Sequence, residues 1–245
     1  MLALLLFGVF FAMALGGVPL LFSILLATVG VIWGKGFDYP LETIFLSFIG
    51  GVEPFILLAV PLFIFAGELL AQGGVGKRIV EFARVLFGWL PGGLGVVTVI
   101  SCTMFGGVSG SAIADTAAIG SLVIPAMVAR GYSRGFAAAL LAVAGTIALL
   151  MPLSIPFLVY AFISGVSMRT LSMAGLLPAL ASAVALIIMC MWHGRRTGCD
   201  NGEDRSSPAQ IWEATRAAGP ALLMPIIIIG GIWTGLFTPS ESAAI

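Results

Sequence analysis

The stretch Gly106-Gly107-Val108-Ser109-Gly110-Ser111-Ala112-Ile113-Ala114-Asp115-Thr116 decides how this chain is read. It lies in a long run of apolar, Gly and Ser residues, and Asp115 is the sole charged residue between Arg84 and Arg130. A carboxylate, three hydroxyls and three glycines thus fall in the middle of a hydrophobic segment. In lipid an ionisable group is costly unless it faces a partner, a water-filled cavity or an ion. Irregular backbone is tolerated there only where protein buries it or where it lines a cavity. The two together predict a place where the chain handles an ion or a polar solute inside a membrane.

Composition agrees. The 245 residues are 60% hydrophobic and 9% charged, with a mean hydropathy of +1.16. Soluble domains carry roughly 25% charged residues, so a soluble core is excluded. Eleven basic and eleven acidic side chains cancel, which leaves no basic surface to attract nucleic acid. Cys102, Cys190 and Cys199 form no CxxC pair and lie in or beside apolar spans, where they read as small hydrophobes. His193 is the one histidine, too few for a metal cluster or a Ser/His/Asp set. No phosphate-cradling glycine loop appears either, so nothing suggests an enzyme. The N-terminus lacks a basic region and an Ala-x-Ala site, so it reads as a retained span rather than a cleaved signal.

A helix needs about 20 apolar residues to cross a bilayer. Residues 2–33 exceed that and are interrupted at Gly16-Gly17-Val18-Pro19, giving one kinked crossing or two short ones. Residues 38–54, with Asp38, Glu42 and Glu53, predict a short interfacial segment, and 55–72 the next span. Residues 1–72 thus form N-terminal, scaffold-like spans. Lys77, Arg78 and Arg84 mark 73–91 as a basic cytoplasmic loop, and Arg130 and Arg134 mark a second one. The segment 92–128 must then leave and return by the same face, as two full passes or as a re-entrant hairpin, and its Gly-Gly-x-Ser-Gly-Ser centre favours a hairpin with its tip inside the protein. Residues 129–192 hold a helix broken between Met151 and Pro156, an outer turn from Ser164 to Arg169, and a span over 171–192. Residues 193–218 read as a cytoplasmic linker with an amphipathic piece at Ile211-Trp212, and 219–237 as a last span. The final residues, Thr238-Pro239-Ser240-Glu241-Ser242-Ala243-Ala244-Ile245, look like a new helix that has only begun: Thr238 or Ser240 suits its cap and Glu241 its first turn. The fold class is therefore all-α and integral to the membrane, with a re-entrant hairpin and a broken helix.

Several blocks carry a family resemblance. They are Pro61-Leu62-Phe63-Ile64-Phe65-Ala66-Gly67-Glu68-Leu69, Leu90-Pro91-Gly92-Gly93-Leu94, the run Gly106 to Gly120, Ile124-Pro125-Ala126-Met127 and Gly131-Tyr132. Pro152 to Pro156, Tyr160, Ala174-Gly175-Leu176-Leu177-Pro178 and Phe237 to Ala244 continue the series. The chain resembles the large, DctM-type membrane subunit of the tripartite ATP-independent periplasmic (TRAP) transporters, from about residue 55 onward. The SGSAxAD block is the specific part.

The resemblance implies two inverted repeats, of which this chain covers the first and the opening of the second within 219–245. It further implies a multi-pass protein of the bacterial inner membrane that takes up C4-dicarboxylates or related organic and sugar acids. Uptake would be driven by sodium as coupling ion, with no other cofactor, and by an elevator movement. A periplasmic substrate-binding protein and a small membrane subunit are the implied partners, with membrane lipid around them and no nucleic acid. One departure stands out. Ala148, Leu149 and Leu153 occupy positions where the family commonly has a Gly and two Pro.

At the hairpin tip, Ser109, Gly110 and Ser111 offer hydroxyls and bare carbonyls, the hard oxygen ligands a sodium ion takes, while helix N-termini favour an anionic group. Tight packing of small residues between helices is the competing reading. Asp115, four residues after Ser111 and on the same helix face, either neutralises a cation or anchors the hairpin. Thr116 follows it. Thr146, Pro152, Ser154 and Pro156 are candidates for a second wall, against an ordinary proline kink. Glu68, near a helix end, reads as structural, and Phe55, Phe63 and Phe65 as lipid-facing or packing. Two other functions stay open: a related carrier or antiporter that needs no binding protein, and a truncated, non-transporting fragment.

Overall fold

A computed structural model describes residues 2–34, 41–52, 55–152, 154–238 and 241. It divides the chain into two compact units, residues 1–54 and 55–245. In the first, α1 (Leu2–Leu15) packs against α2 (Leu20–Gly34) and α3 covers Leu41–Val52. Residues 2–33 are therefore two short helices, each about 21 Å long at 1.5 Å per residue. The chain turns between them at Gly17, whose φ is +87°, and Pro19 starts the next helix. The Ser23 hydroxyl donates to the Val18 carbonyl at 3.1 Å, taking up a group that the turn leaves free. Asp38 and Glu53 lie outside the described residues.

The second unit contains α4 (Phe55–Gln72), α5 (Val75–Phe87), α6 (Gly93–Ser109), α7 (Ala112–Ala129), α8 (Arg134–Thr146), α9 (Ile155–Ser164), α10 (Met168–Thr197) and α11 (Pro208–Thr234). The described residues contain no strand. Four stretches are long and apolar enough to cross a membrane: α7, the broken α8–α9 pair, α10 and α11. The α4–α5 pair passes the same test together but bends by 65° at Gly73–Gly74.

Two stretches differ from the sequence reading. The basic 73–91 region is mostly helix. Its Val75, Ile79 and Val80 fall on one face at helical spacing and are shielded, with Ile79 fully buried, while Lys77, Arg78 and Glu81 stay in the open. The linker 193–218 shrinks to Gly198–Ser207. Arg195 and Arg196 extend α10 by giving its last turn the positive charge a helix C-terminus favours. On the other side, Ser207 and Gln210 form a reciprocal capping box that starts α11 at Pro208, eleven residues before the expected span. That helix then runs unbroken through Pro220 and Pro225, so the amphipathic piece and the last span are one rod.

α6 is the axis of this unit, touching α5, α7, α8 and α10. Val96, Val97, Val99, Cys102 and Phe105 are buried along it. Small residues bring α10 close: Gly92 stands against Gly194, and a side chain at Gly95 would meet the Cys190 sulfur at 3.1 Å. Such approach replaces the hydrophobic drive that lipid cannot supply between apolar helices. Outward faces are apolar as well, with Leu177 77% and Ile188 61% exposed on α10. A second apolar cluster joins Ala59 and Phe63 of α4 to Leu158 and Ala161 of α9 and Ile228 and Ile232 of α11. Phe63 packs inward there while Phe65 faces out.

Candidate functional site at the hairpin tip

The quoted stretch is a helical hairpin. α6 ends at Ser109, the chain reverses at Gly110 with φ +59°, and Ser111 caps α7 by accepting the Ala114 N–H at 3.4 Å. A left-handed residue flanked by helices on both sides favours glycine, because a Cβ would crowd the backbone. The tip is held from within. The Ser109 hydroxyl donates to Asp115 Oδ1 and accepts the Ser111 N–H at 3.2 Å.

Asp115 sits in the first turn of α7, fully buried. A carboxylate there complements the positive end of the helix, which accounts for one oxygen. Oδ2 has no hydrogen-bond partner. It points to Gly106 and the 3-10 turn Ile147–Leu150: a Cβ on Gly106 would lie 2.8 Å from Oδ2 and 2.6 Å from the Ala148 methyl. Gly106 thus leaves the space that lets Ala148 and the carboxylate meet.

The broken span reaches the same place. α8 stops at Thr146, tightens into the 3-10 turn, and straightens at Met151, whose ψ is 150°. Ser154 then caps α9 by accepting the Phe157 N–H at 3.4 Å. The Ile155 N–H donates to the Gly110 carbonyl at 3.4 Å, so the N-termini of α7 and α9 converge on one point. The break forms with Ala148 and Leu149 in the 3-10 turn, and Pro152 and Pro156 withhold N–H groups just beyond it. Its freed Pro152 carbonyl accepts the Ser172 hydroxyl of α10 at 2.9 Å. Leu153 lies outside the described residues.

Beside the tip is a cavity of about 420 Å³, walled by Ser109 and Ser111, by Ile64, Gly67 and Glu68 of α4, and by Ile113, Ala114, Ala117 and Ile155. Glu68 is the one charged side chain among these walls, and its Oε1 accepts from Gln72 at 2.8 Å. The sequence reads Glu68 as structural; in the structure it stands beside Gly67, which faces Ser109 at the cavity wall.

The remaining sequence candidates sit elsewhere. Thr116 donates to the Ala112 carbonyl at 2.6 Å and packs on Gly145 of α8. Thr146 is exposed and bonds back to Val143. Pro152 and Ser154 are buried behind the cavity, Pro156 faces outward, and Ile155 supplies this span's wall instead. The Ile155 N–H, one residue after the Ser154 cap, is the group that reaches the Gly110 carbonyl. Among the described residues no three His, Cys, Asp or Glu side chains gather as metal ligands would.

The chain matches the family model "Tripartite ATP-independent periplasmic transporter, DctM component" over residues 3–245. It is 36% identical to the "C4-dicarboxylate TRAP transporter large permease protein DctM" of Rhodobacter capsulatus, over 99% of this chain and 58% of that protein. It is 38% identical to the "Isethionate TRAP transporter permease protein DctMQ" of Oleidesulfovibrio alaskensis, over 98% of this chain and 38% of that one. With the "2,3-diketo-L-gulonate TRAP transporter large permease protein YiaN" of Escherichia coli it shares 37% identity, over 94% of this chain and 53% of that protein. The chain therefore spans about half the length of the curated relatives it matches. With several apolar helices able to cross a membrane and a family match along nearly its whole length, it belongs to the DctM family of large TRAP transporter permeases, which are inner-membrane proteins.

Proposed function

We propose that this chain serves in a sodium-coupled secondary carrier for organic acids and is not an enzyme. One observation carries the reading: two helix N-termini and the Ser109 and Ser111 hydroxyls meet beside a cavity next to a buried carboxylate with a free oxygen. The N-termini of α7 and α9 supply partial positive charge for an acid group. Ser109, Ser111 and the last carbonyls of α6 supply oxygens for a small cation, and Asp115 balances its charge. Gly110 keeps that backbone bare. The substrates in the relatives' names support the class, since isethionate, C4-dicarboxylates and diketogulonate all carry an acid group.

In this reading the basic ends of α5 and α7 lie on the cytoplasmic side. A periplasmic binding protein delivers the substrate, a small membrane subunit braces the permease, and the hairpin moves as part of an elevator. The test is uptake of labelled acids into vesicles carrying the complete transport system, with and without a sodium gradient. Ser109→Phe or Ser111→Phe should abolish sodium-dependent uptake while membrane insertion survives. Unchanged uptake would remove the hairpin tip from the transport path.

A further inference from the structure

The base of the hairpin, some 25 Å from its tip along α6, carries an ion-pair network shared by α5, the end of α7 and the connection Gly198–Ser207. The connection Gly198–Ser207 is attached differently at its two ends. At Asp200 it is fastened to the hairpin. The Asp200 carbonyl accepts the Gly92 N–H at 2.9 Å, and Oδ2 accepts the Leu94 N–H at 2.7 Å and the Tyr132 hydroxyl at 3.3 Å. Oδ1 accepts Arg130 at 3.2 Å. The carboxylate is only 1% exposed and every oxygen is used. Asp200 even holds a left-handed φ of +54°, the one described residue other than glycine to do so.

Three residues on, the chain is fastened to α5. The Glu203 N–H donates to the Gly88 carbonyl at 2.9 Å, and its carboxylate takes Arg84 at 3.1 Å. A single ion pair crosses between these attachments: Arg130 Nη2 to Glu203 Oε1, at 2.6 Å.

That crossing pair is unusual in what each member keeps when it parts. Arg130 retains Asp200, Glu203 retains Arg84, and Arg84 also holds Glu81 at 2.7 Å. Rupture therefore strands no charge. Both members reach water, with Arg130 40% and Glu203 25% exposed, so solvent and salt can take their place. Asp200 has no such exit: losing its donors would leave a buried carboxylate unpaired.

We propose that Arg130–Glu203 is a releasable latch between α5 and the hairpin body α6–α8, with Asp200 as its permanent anchor. The latch closes in the arrangement seen here and opens when the hairpin shifts against α5. It rests on the carrier reading, in which the hairpin cavity faces the two sides of the membrane in turn. Gly202, with φ +88° and placed between the two attachments, gives the connection its bend.

The test uses the complete transporter reconstituted in vesicles, with Ile113→Cys as reporter and Cys199→Ser as background. Ile113 walls the cavity and is 85% exposed, while Cys102 and Cys190 are buried and stay silent. A membrane-impermeant maleimide is applied from each face. Glu203→Gln should shift the ratio of labelling from the two faces by about two- to fivefold, the range an exposed ion pair supports. Choline chloride at high concentration should shift the original protein in the same direction and leave Glu203→Gln unaffected. An unchanged ratio in Glu203→Gln, or an undiminished salt response there, overturns the latch. Labelling from neither face under any condition sinks the carrier reading, and the latch with it. Salt also acts on the unmutated protein, so the absence of any salt shift there overturns the latch even if a variant inserts poorly.

Discussion

Asp115 and Asp200 are both buried carboxylates, and they sit at opposite ends of one hairpin. Asp200 is saturated: a backbone N–H, a phenol and a guanidinium occupy its oxygens. Asp115 has one serine hydroxyl and one oxygen with nothing bonded to it. Buried polar groups are almost always satisfied, and one that is not calls for an explanation of its own. The base thus has every oxygen satisfied and the tip does not, which is why the tip is the part proposed as a receptor. Burial alone does not separate the two; the state of the second oxygen does.

Substitutions at the two sites should come apart accordingly. Asp115→Asn keeps the size and the acceptor for Ser109, so stability should move by less than about 1 kcal/mol. Sodium-dependent uptake should nonetheless fall by about tenfold or more. Retained uptake with full sodium dependence would erase the contrast by making Asp115 a second anchor.

Asp200→Ala should do the reverse in kind. It removes the distant cap of α6 and leaves Arg130 and Tyr132 without their acceptor. A loss of about 3 kcal/mol is expected, at the low end for breaking a buried pair because Arg130 is partly exposed. Thermal unfolding in detergent reads it; an unchanged midpoint would show that the joint does not depend on this residue.

Tyr132 gives the smallest effect. Burial, and then the Asp200 carboxylate, push its phenol above the ordinary range. The fold therefore favours the neutral form. Its contribution is complete below the unfolded phenol value of about 10 and is lost as pH rises past that value. Tyr132→Phe should cost about 1 kcal/mol at neutral pH for the missing hydrogen bond. It should also flatten this part of the alkaline loss, which a pH series of unfolding midpoints would show.

The two ends also differ in how far sequence could reveal them. The tip stands out because serine and aspartate are conspicuous in a mostly apolar run whose sole charge between Arg84 and Arg130 is Asp115. The turn at Gly110 and the break expected between Met151 and Pro156 follow from backbone chemistry that acts locally, whereas the end of α8 at Thr146, several residues before the prolines, has no such local signal. The base was not legible. Asp200 lies in a polar stretch where an acid is unremarkable, and its partners Leu94 and Arg130 are 106 and 70 residues away. The helix over Val75–Phe87 hid for a related reason: four charges drew attention to the loop reading, though Ile79 and Ala83 kept helical spacing beneath them. Thr146 and Ser154 misled in the opposite sense. Their hydroxyls bond locally, as that of Ser111 does, but neither residue lines the cavity beside the tip.

Gly67 has a consequence for anything the hairpin does next. A methyl at that position would touch Ser109 at an ordinary 3.5 Å, so α4 meets the turn of the hairpin with plain main chain and no protruding knob. In the proposed elevator, a smooth bearing of this kind would set no preferred height for the sliding part, and its stops would lie at the far end, where charges grip.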